Sequence, residues 1–172
     1  KLICPPAAEI SRRVGEFVGA WSPSYSYSRL KLLEIGCGTG ITTTHLAACG
    51  DILDIVSVDN APAMLSQARQ NLARELESGR LSLIEKDALS YLQEMPAASV
   101  DVVASAYTLH NFLNGYRRRV LEEILRVLKP GGLFVNGDRY AMDDAAEQLR
   151  NTQEEVKSYF RVFLEMNRPD LL

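Results

Sequence analysis

Histidine and cysteine are few in this chain, and no excess of positive charge is present. Its 172 residues hold three cysteines, Cys4, Cys37 and Cys49, with no CxxC pair, and two histidines, His45 and His110, neither at metal-ligand spacing. Neither a disulfide framework nor a zinc site is suggested, no metal is expected, and a reducing cytoplasm is the simplest setting. A net charge of -3 gives no whole-molecule field to gather nucleic acid or an anionic membrane, so neither is the expected direct partner. No apolar run approaches the roughly 18 residues of a membrane span, and no charged-then-apolar leader is visible. Internal repeats, low-complexity segments and linkers are missing too, so residues 1–172 read as a single domain. The start at Lys1 rather than Met leads to the expectation of a trimmed chain.

What is present is a composition of 47% hydrophobic and 24% charged residues, enough for a buried core. Short runs rich in Val, Ile and Leu alternate with stretches of helical periodicity, which reads as an α/β protein. Strands are expected at 30–35, 54–59, 81–87, 100–107 and 133–138. Helices are expected from the loop after strand one to about Cys49, from Pro62 to just before Gly79, over about 88–94 and 115–128, and from Asp143 or Asp144 to about Met166. Pro62 suits a first helical position, and either aspartate suits a cap. In "KPGG", Lys129 is expected near the negative helix end, with Gly131 and Gly132 allowing a reversal. Buried parallel strands with helical crossovers give a doubly wound, Rossmann-like, mostly parallel sheet with helices on both faces. Strand one should then neighbour strands two and four, with a ligand at their carboxyl ends.

The stretch "KLLEIGCGTGITT" places Gly36, Gly38 and Gly40 directly after an apolar run. Such a loop lets a ligand approach bare backbone at a helix N-terminus. The dinucleotide fingerprint needs GxGxxG, whose third glycine packs helix on strand. Here that position holds Ile41. Acidic residues flank the loop: Glu34 before it, Asp59 at the end of strand two and Asp87 at the end of strand three. Asp59 can accept both hydroxyls of a ribose, or it can serve as a helix-entry cap, and Asp87 can be a surface cap. With no Lys or Arg in the loop or just after it, the field is poor for a pyrophosphate and tolerant of a cation such as a sulfonium.

Taken in order, "LLEIGCGTG", "VSVDNAPAML", "EKDAL", "VDVVASAYTLHNF" and "LRVLKPGGLFVNGDR" resemble the successive motifs of class I S-adenosylmethionine-dependent methyltransferases. The resemblance implies that Gly36, Cys37, Gly38 and Gly40 face the methionine part of the cofactor, with Glu34 beside them. It implies that Asp59 binds the ribose, that Asn60, Met64, Asp87 and Ala88 lie at the adenine, and that Ser105, Ala106 and Tyr107 line the methyl-donor end. S-adenosylhomocysteine would be the product, and a small molecule the acceptor. "SAYTLHNF" and the region after strand five are also similar to carboxy-S-adenosylmethionine synthases, which modify the cofactor itself and take part in tRNA wobble-uridine modification. A noncatalytic cofactor-binding module is the remaining alternative.

Methyl transfer is an in-line displacement that mainly needs alignment and exclusion of water. No base is obligatory, although an acceptor that carries a proton benefits from one. His110, after strand four, is a candidate base or substrate contact, with packing or helix capping as the other reading; His45 reads as structural. Tyr107 can reach the acceptor or present its ring face to a sulfonium, or be a core contact. Arg139 and Tyr140, beyond strand five, are candidates for the acceptor side. Cys37 is a small loop residue or a reactive thiol. Arg117, Arg118 and Arg119 point around a helix rather than along one face, with Glu122 and Glu123 following at pairing distance. The "SPSYSYS" approach, with Tyr25 and Tyr27, either folds over the cofactor or only connects.

Only 34 residues follow Asp138, so the antiparallel strand pair usual at this point in the family is expected to be missing. An uncovered fifth strand would be an unpaired edge. The expectation is a C-terminally incomplete chain or an edge buried by a partner. Val156, Phe160, Phe163 and Leu164 form the main stripe of the last helix, and Tyr159, Val162 and Met166 lie beside it. These suit a lid, a homodimer contact or packing under a further segment.

Overall fold

The expected apolar runs form five strands, β1 (Leu30–Ile35), β2 (Leu53–Asp59), β3 (Leu81–Glu85), β4 (Val100–Ala106) and β5 (Leu128–Gly137). In the computed structural model they pair in parallel in the order β3-β2-β1-β4-β5. The structure describes residues 5–21, 29–50, 53–140 and 143–165. Cys4, Tyr25, Tyr27 and Met166, and the side chains of Tyr159, Val162 and Phe163, lie outside the described residues. Seven helices are described: α1 (Pro5–Ala20), α2 (Ile41–Ala47), α3 (Pro62–Asn71), α4 (Ala73–Glu77), α5 (Ala88–Glu94), α6 (Asn114–Val127) and α7 (Ala145–Glu165).

β1 and β4 are central because their apolar residues run almost without a break, so both faces of each strand need cover. Every residue of β4 is buried. Alternation along the strands then sorts the core into two layers. Leu32, Ile55 and Val102 pack with Val14 and Val18 of α1, Leu46 of α2 and the buried Leu72. Leu33, Val58 and Val103 pack on the opposite face with Leu92 of α5 and Val120 and Ile124 of α6. Burying one such aliphatic side chain stabilises the fold by about 1.5–3 kcal/mol.

Sequence reading places no element before β1, and α1 is therefore a finding. Its residues Ile10, Val14 and Val18 recur at helical spacing, and Glu9 pairs with Arg12 and Arg13 on its exposed side. The helix approaches α2 closely: a Cβ on Gly15 would lie 2.7 Å from the His45 Cβ, and the Cys49 Sγ donates to the Gly15 carbonyl at 3.2 Å. The helix expected after Pro62 divides in two, because Leu72 (φ -114, ψ 24) leaves the helical region.

"KPGG" is not a turn between a helix and a later strand. α6 ends at Val127 and β5 begins at Leu128, with Val100 opposite Leu128 and Val102 opposite Leu133. Residues 129–132 bulge out within the strand, where Gly131 takes φ +76. Lys129 reaches Asp101, whose side chain is 1% exposed, at 2.8 Å, and the same carboxylate accepts the Lys31 backbone N–H at 2.9 Å. The lysine thus satisfies a buried charge rather than a helix end. On α6, Arg117 bonds to Asn114 and to the Leu109 carbonyl, and Glu123 pairs with Arg126, in place of the expected pairing between the arginine run and Glu122 or Glu123.

The chain divides into two compact units, Ala7–Asp138 and a smaller one holding Arg139 and α7. In the smaller unit Asp144 caps α7, its Oδ1 accepting the N–H groups of Ala146 and Glu147 at 2.7 and 2.9 Å. Leu149, Val156, Phe160 and Leu164 are exposed along one stripe of that helix. Among the described residues β5 pairs only with β4, and no helix is long and apolar enough to cross a membrane.

Candidate functional site

The strand order reverses at β1, and the carboxyl ends of β1, β2 and β4 open there onto a cavity of about 630 Å³. This is the place where open α/β sheets take ligands, and the size suits a small molecule. The glycine loop forms its floor. The Gly36 N–H donates to the Val58 carbonyl at 2.8 Å, carrying the chain across to β2. Gly36 sits at φ +73, and a Cβ there would fall 2.1 Å from the Thr108 Oγ1, so no other residue fits. Around Gly38 (φ +54) a Cβ would meet nothing within 4 Å; the backbone there faces open space, as a cradle for a ligand must.

Asp59 holds this loop in shape. Its Oδ2 accepts the Gly38 N–H at 2.8 Å and its Oδ1 accepts the Ala61 N–H at 2.9 Å, just ahead of α3. The helix-entry cap and the ligand-facing carboxylate are therefore the same group: Asp59 lines the cavity and retains unused lone pairs. Asp87 has the same double character. Its Oδ1 caps α5 by accepting from Ser90, and its Oδ2 accepts from the Tyr116 hydroxyl at 2.5 Å. Burial works to raise its pKa, but the hydrogen bonds from Tyr116 and Ser90 outweigh burial and hold it below the usual carboxylate range. Burial and the Asp87 hydrogen bond push the Tyr116 phenol up to about 12.

Glu34 is placed differently from its flanking position in the sequence. It is fully buried beneath the loop, between β2 and α2, with Oε2 accepting from Ser57 at 2.6 Å and from Thr43 at 2.7 Å. Its Oε1 has no partner among the described residues. Burial raises its pKa to about 7 against these two hydrogen bonds. It does not line the cavity. Cys37 does line the cavity, but burial and the nearby carboxyl groups of Glu34 and Asp59 push its thiol far up, which makes it a loop residue rather than a nucleophile.

Of the remaining expected contacts, Asn60, Met64, Ala88, Ala106 and Tyr107 line the cavity. Gly40 packs instead under Leu72, and Ser105 lies below the floor, its Oγ donating to the Ile35 carbonyl at 3.1 Å. Tyr107 takes φ +53, which is costly for a bulky residue and is fixed here by its N–H donating to the Gly137 carbonyl at 2.9 Å. His110 stands in a 3-10 turn, Leu109–Asn111, its ring edge-on to Tyr107 at 5.9 Å. Arg139 and Tyr140 belong to the other unit, where Arg139 bonds to Glu155 and Tyr140 is largely exposed.

Sequence reasoning missed several wall residues. Ser11 comes from α1 and accepts from the Thr42 hydroxyl at 2.9 Å; Thr108 and Tyr116 need tertiary contacts to reach the wall, and no spacing announces them. Lys86 also lines the wall, paired with Glu94. Asp138 follows directly on β5 and lines a second, smaller cavity rather than this one.

Residues 33–136 match the family model described as a methyltransferase domain. The chain is 25% identical over 144 residues to a carboxy-S-adenosyl-L-methionine synthase of Photobacterium profundum, covering 81% of this chain and 57% of that protein. It is 33% identical over 109 residues to a demethylmenaquinone methyltransferase of Leptospira interrogans, covering 63% of this chain and 43% of that one. The chain thus spans about half the length of these curated relatives. Among solved structures, a Haemonchus contortus phosphoethanolamine N-methyltransferase, in complex with phosphoethanolamine and S-adenosylhomocysteine, superposes with a TM-score of 0.60. That match has 19% identity and covers 80% of this chain and 26% of the other, a likeness of fold.

Proposed function

This chain belongs to the family of methyltransferase domains, and on that premise we propose that it binds S-adenosylmethionine in the 630 Å³ cavity and moves the methyl group to a small-molecule acceptor. The observation that carries the reading is the glycine loop tied to Asp59, with open space above Gly38. Bound there, the cofactor supplies a methyl group on a sulfonium leaving group. Asp59 takes the ribose hydroxyls on its free lone pairs, and Asp87, held by Tyr116, takes the adenine with Asn60, Met64 and Ala88. Gly36, Cys37 and Gly38 meet the methionine part. Ala106 and Tyr107 border the methyl, where the Tyr107 ring supplies a cation-tolerant face.

The chain's residues contribute position and dryness rather than covalent chemistry. The free thiols of Cys37 and Cys49 support a reducing, cytoplasmic setting. Titration calorimetry with S-adenosylmethionine and with NAD is the direct test: micromolar binding of the first and none of the second is expected, and the reverse overturns the reading.

A second reading is favoured by the similarity to the Photobacterium profundum carboxy-S-adenosyl-L-methionine synthase, which extends over 81% of the chain. In that case the cofactor itself is modified in the same cavity. Mass spectrometry of ligand carried through purification separates the two, because the carboxylated cofactor is heavier.

A further inference from the structure

One wall of the large cavity is closed by a side chain from a distant element. Tyr116, in the first turn of α6, reaches across to the start of α5. Its Oη donates to Asp87 Oδ2 at 2.5 Å and accepts the Leu89 backbone N–H at 3.1 Å. The other oxygen of Asp87, Oδ1, accepts the backbone N–H and the hydroxyl of Ser90 at 2.9 and 3.0 Å. Phe112 stands edge-on to the Tyr116 ring, with centroids 4.9 Å apart, and limits its movement. Phe112, Tyr116 and Asp87 all line the cavity.

Counting donors and acceptors gives this cluster a polarity. A phenol has one donor and two lone pairs, and each carboxylate oxygen has two lone pairs. Burial and the Asp87 hydrogen bond push the Tyr116 phenol up to about 12, so at neutral pH the proton stays on Oη and is held by Asp87. Leu89 takes one lone pair of Oη, and Ser90 takes both lone pairs of Asp87 Oδ1. All four donors of the cluster are thereby used. Among the described residues, one lone pair is left on Asp87 Oδ2 and one on Tyr116 Oη. These two oxygens are close enough for a single N–H to lie between them as a shared, three-centre hydrogen bond. Lys86, on the same wall, is bonded to Glu94.

We propose that Tyr116 determines which base the site accepts: with Asp87 it forms a two-oxygen acceptor that holds the 6-amino group of a purine and rejects a 6-oxo group. The proposal rests on the S-adenosylmethionine reading above and adds to it a specificity residue carried by α6. A 6-oxo base would set its carbonyl oxygen against two acceptors with no donor between them, and a site built to accept a hydrogen bond discriminates strongly against a ligand that cannot give one. Removing the Tyr116 hydroxyl changes this balance in a particular way. It takes away one acceptor, and it frees the Leu89 N–H, which is the donor a 6-oxo group lacks.

Calorimetry with S-adenosylhomocysteine and with its 6-oxo counterpart, S-inosylhomocysteine, tests the proposal. The unaltered protein should prefer the adenosyl compound by about 100-fold. Tyr116→Phe retains the ring beside Phe112. It should bind the adenosyl compound about tenfold more weakly and the inosyl compound no more weakly, so that the preference falls to about tenfold or less. If the hydroxyl only ties α6 to α5, Tyr116→Phe weakens both compounds by the same factor, and that result overturns the proposal. Equal affinities for the two compounds in the unaltered protein also overturn it. Should Tyr116→Phe not fold, the analogue with hydrogen at purine position 6 decides on the unaltered protein. Affinity between those of the amino and oxo compounds is expected, and affinity equal to that of the amino compound overturns the proposal. Failure of the unaltered protein to bind either S-adenosylmethionine or S-adenosylhomocysteine defeats the cofactor reading itself.

Discussion

Two carboxyl groups close together in the chain's architecture carry opposite assignments. Asp59 is wetted by the cavity and bonded to the loop, so Asp59→Ala removes both the proposed ribose contact and the Gly38 anchor. We expect a loss of S-adenosylmethionine affinity of more than tenfold, read by calorimetry, with unfolding still cooperative. Glu34 is dry. Its pKa of about 7 in the folded protein, against an ordinary 4.5, means that the folded state holds the proton more tightly than the unfolded chain. Its contribution to stability is therefore complete below about pH 4.5, declines as pH rises to about 7, and is flat beyond. The loss is on the order of 3 kcal/mol, and Glu34→Gln should remove this slope when chemical denaturation is compared at pH 5 and pH 8. The glycines, Asp59 and Asp87 were legible in the sequence because their demands are local: a positive φ, a strand end, a cap. The burial of Glu34 was not, since it depends on Ser57 and Thr43 arriving from other elements.

Elements were legible where one periodicity dominated, as in the five strands. α1 was not, because its apolar positions are interrupted by Gly15 and Gly19, whose purpose appears only once α2 is laid against them. That close approach makes a prediction. Alanine is the better helix former by about 1 kcal/mol, yet its Cβ at position 15 would collide with the root of the His45 side chain rather than a flexible end. Gly15→Ala should thus destabilise by about 1–3 kcal/mol in denaturant titration. It should also weaken cofactor binding, because α1 and α2 bring Ser11 and Thr42 to the cavity wall. The bulge in β5 misled the reading of "KPGG" for a related reason: its glycines suit a turn, but Lys129 is recruited by Asp101 across the sheet. Asp101→Ala strands the Lys31 N–H and breaks the pair, with an expected cost of about 3 kcal/mol.

For the whole molecule, ligand linkage offers the simplest global check. At a hundredfold excess over its dissociation constant, S-adenosylmethionine should add about 2.7 kcal/mol of stability. For a chain of this size that is a rise in Tm of roughly 5–10 °C, whereas NAD should leave Tm unchanged in the same thermal scan. The order of the strands has a further consequence, for vectorial synthesis on the ribosome. β1, β2 and β3 leave the ribosome first and bring the glycine loop, Asp59 and Asp87 together on one side of the sheet. The second neighbour of β1 does not exist until Val100–Ala106 has been made. The nascent chain can therefore bring the glycine loop, Asp59 and Asp87 together before the rest of the cavity exists, and Ala106 and Tyr107 take their places only when β4 docks against a preformed edge.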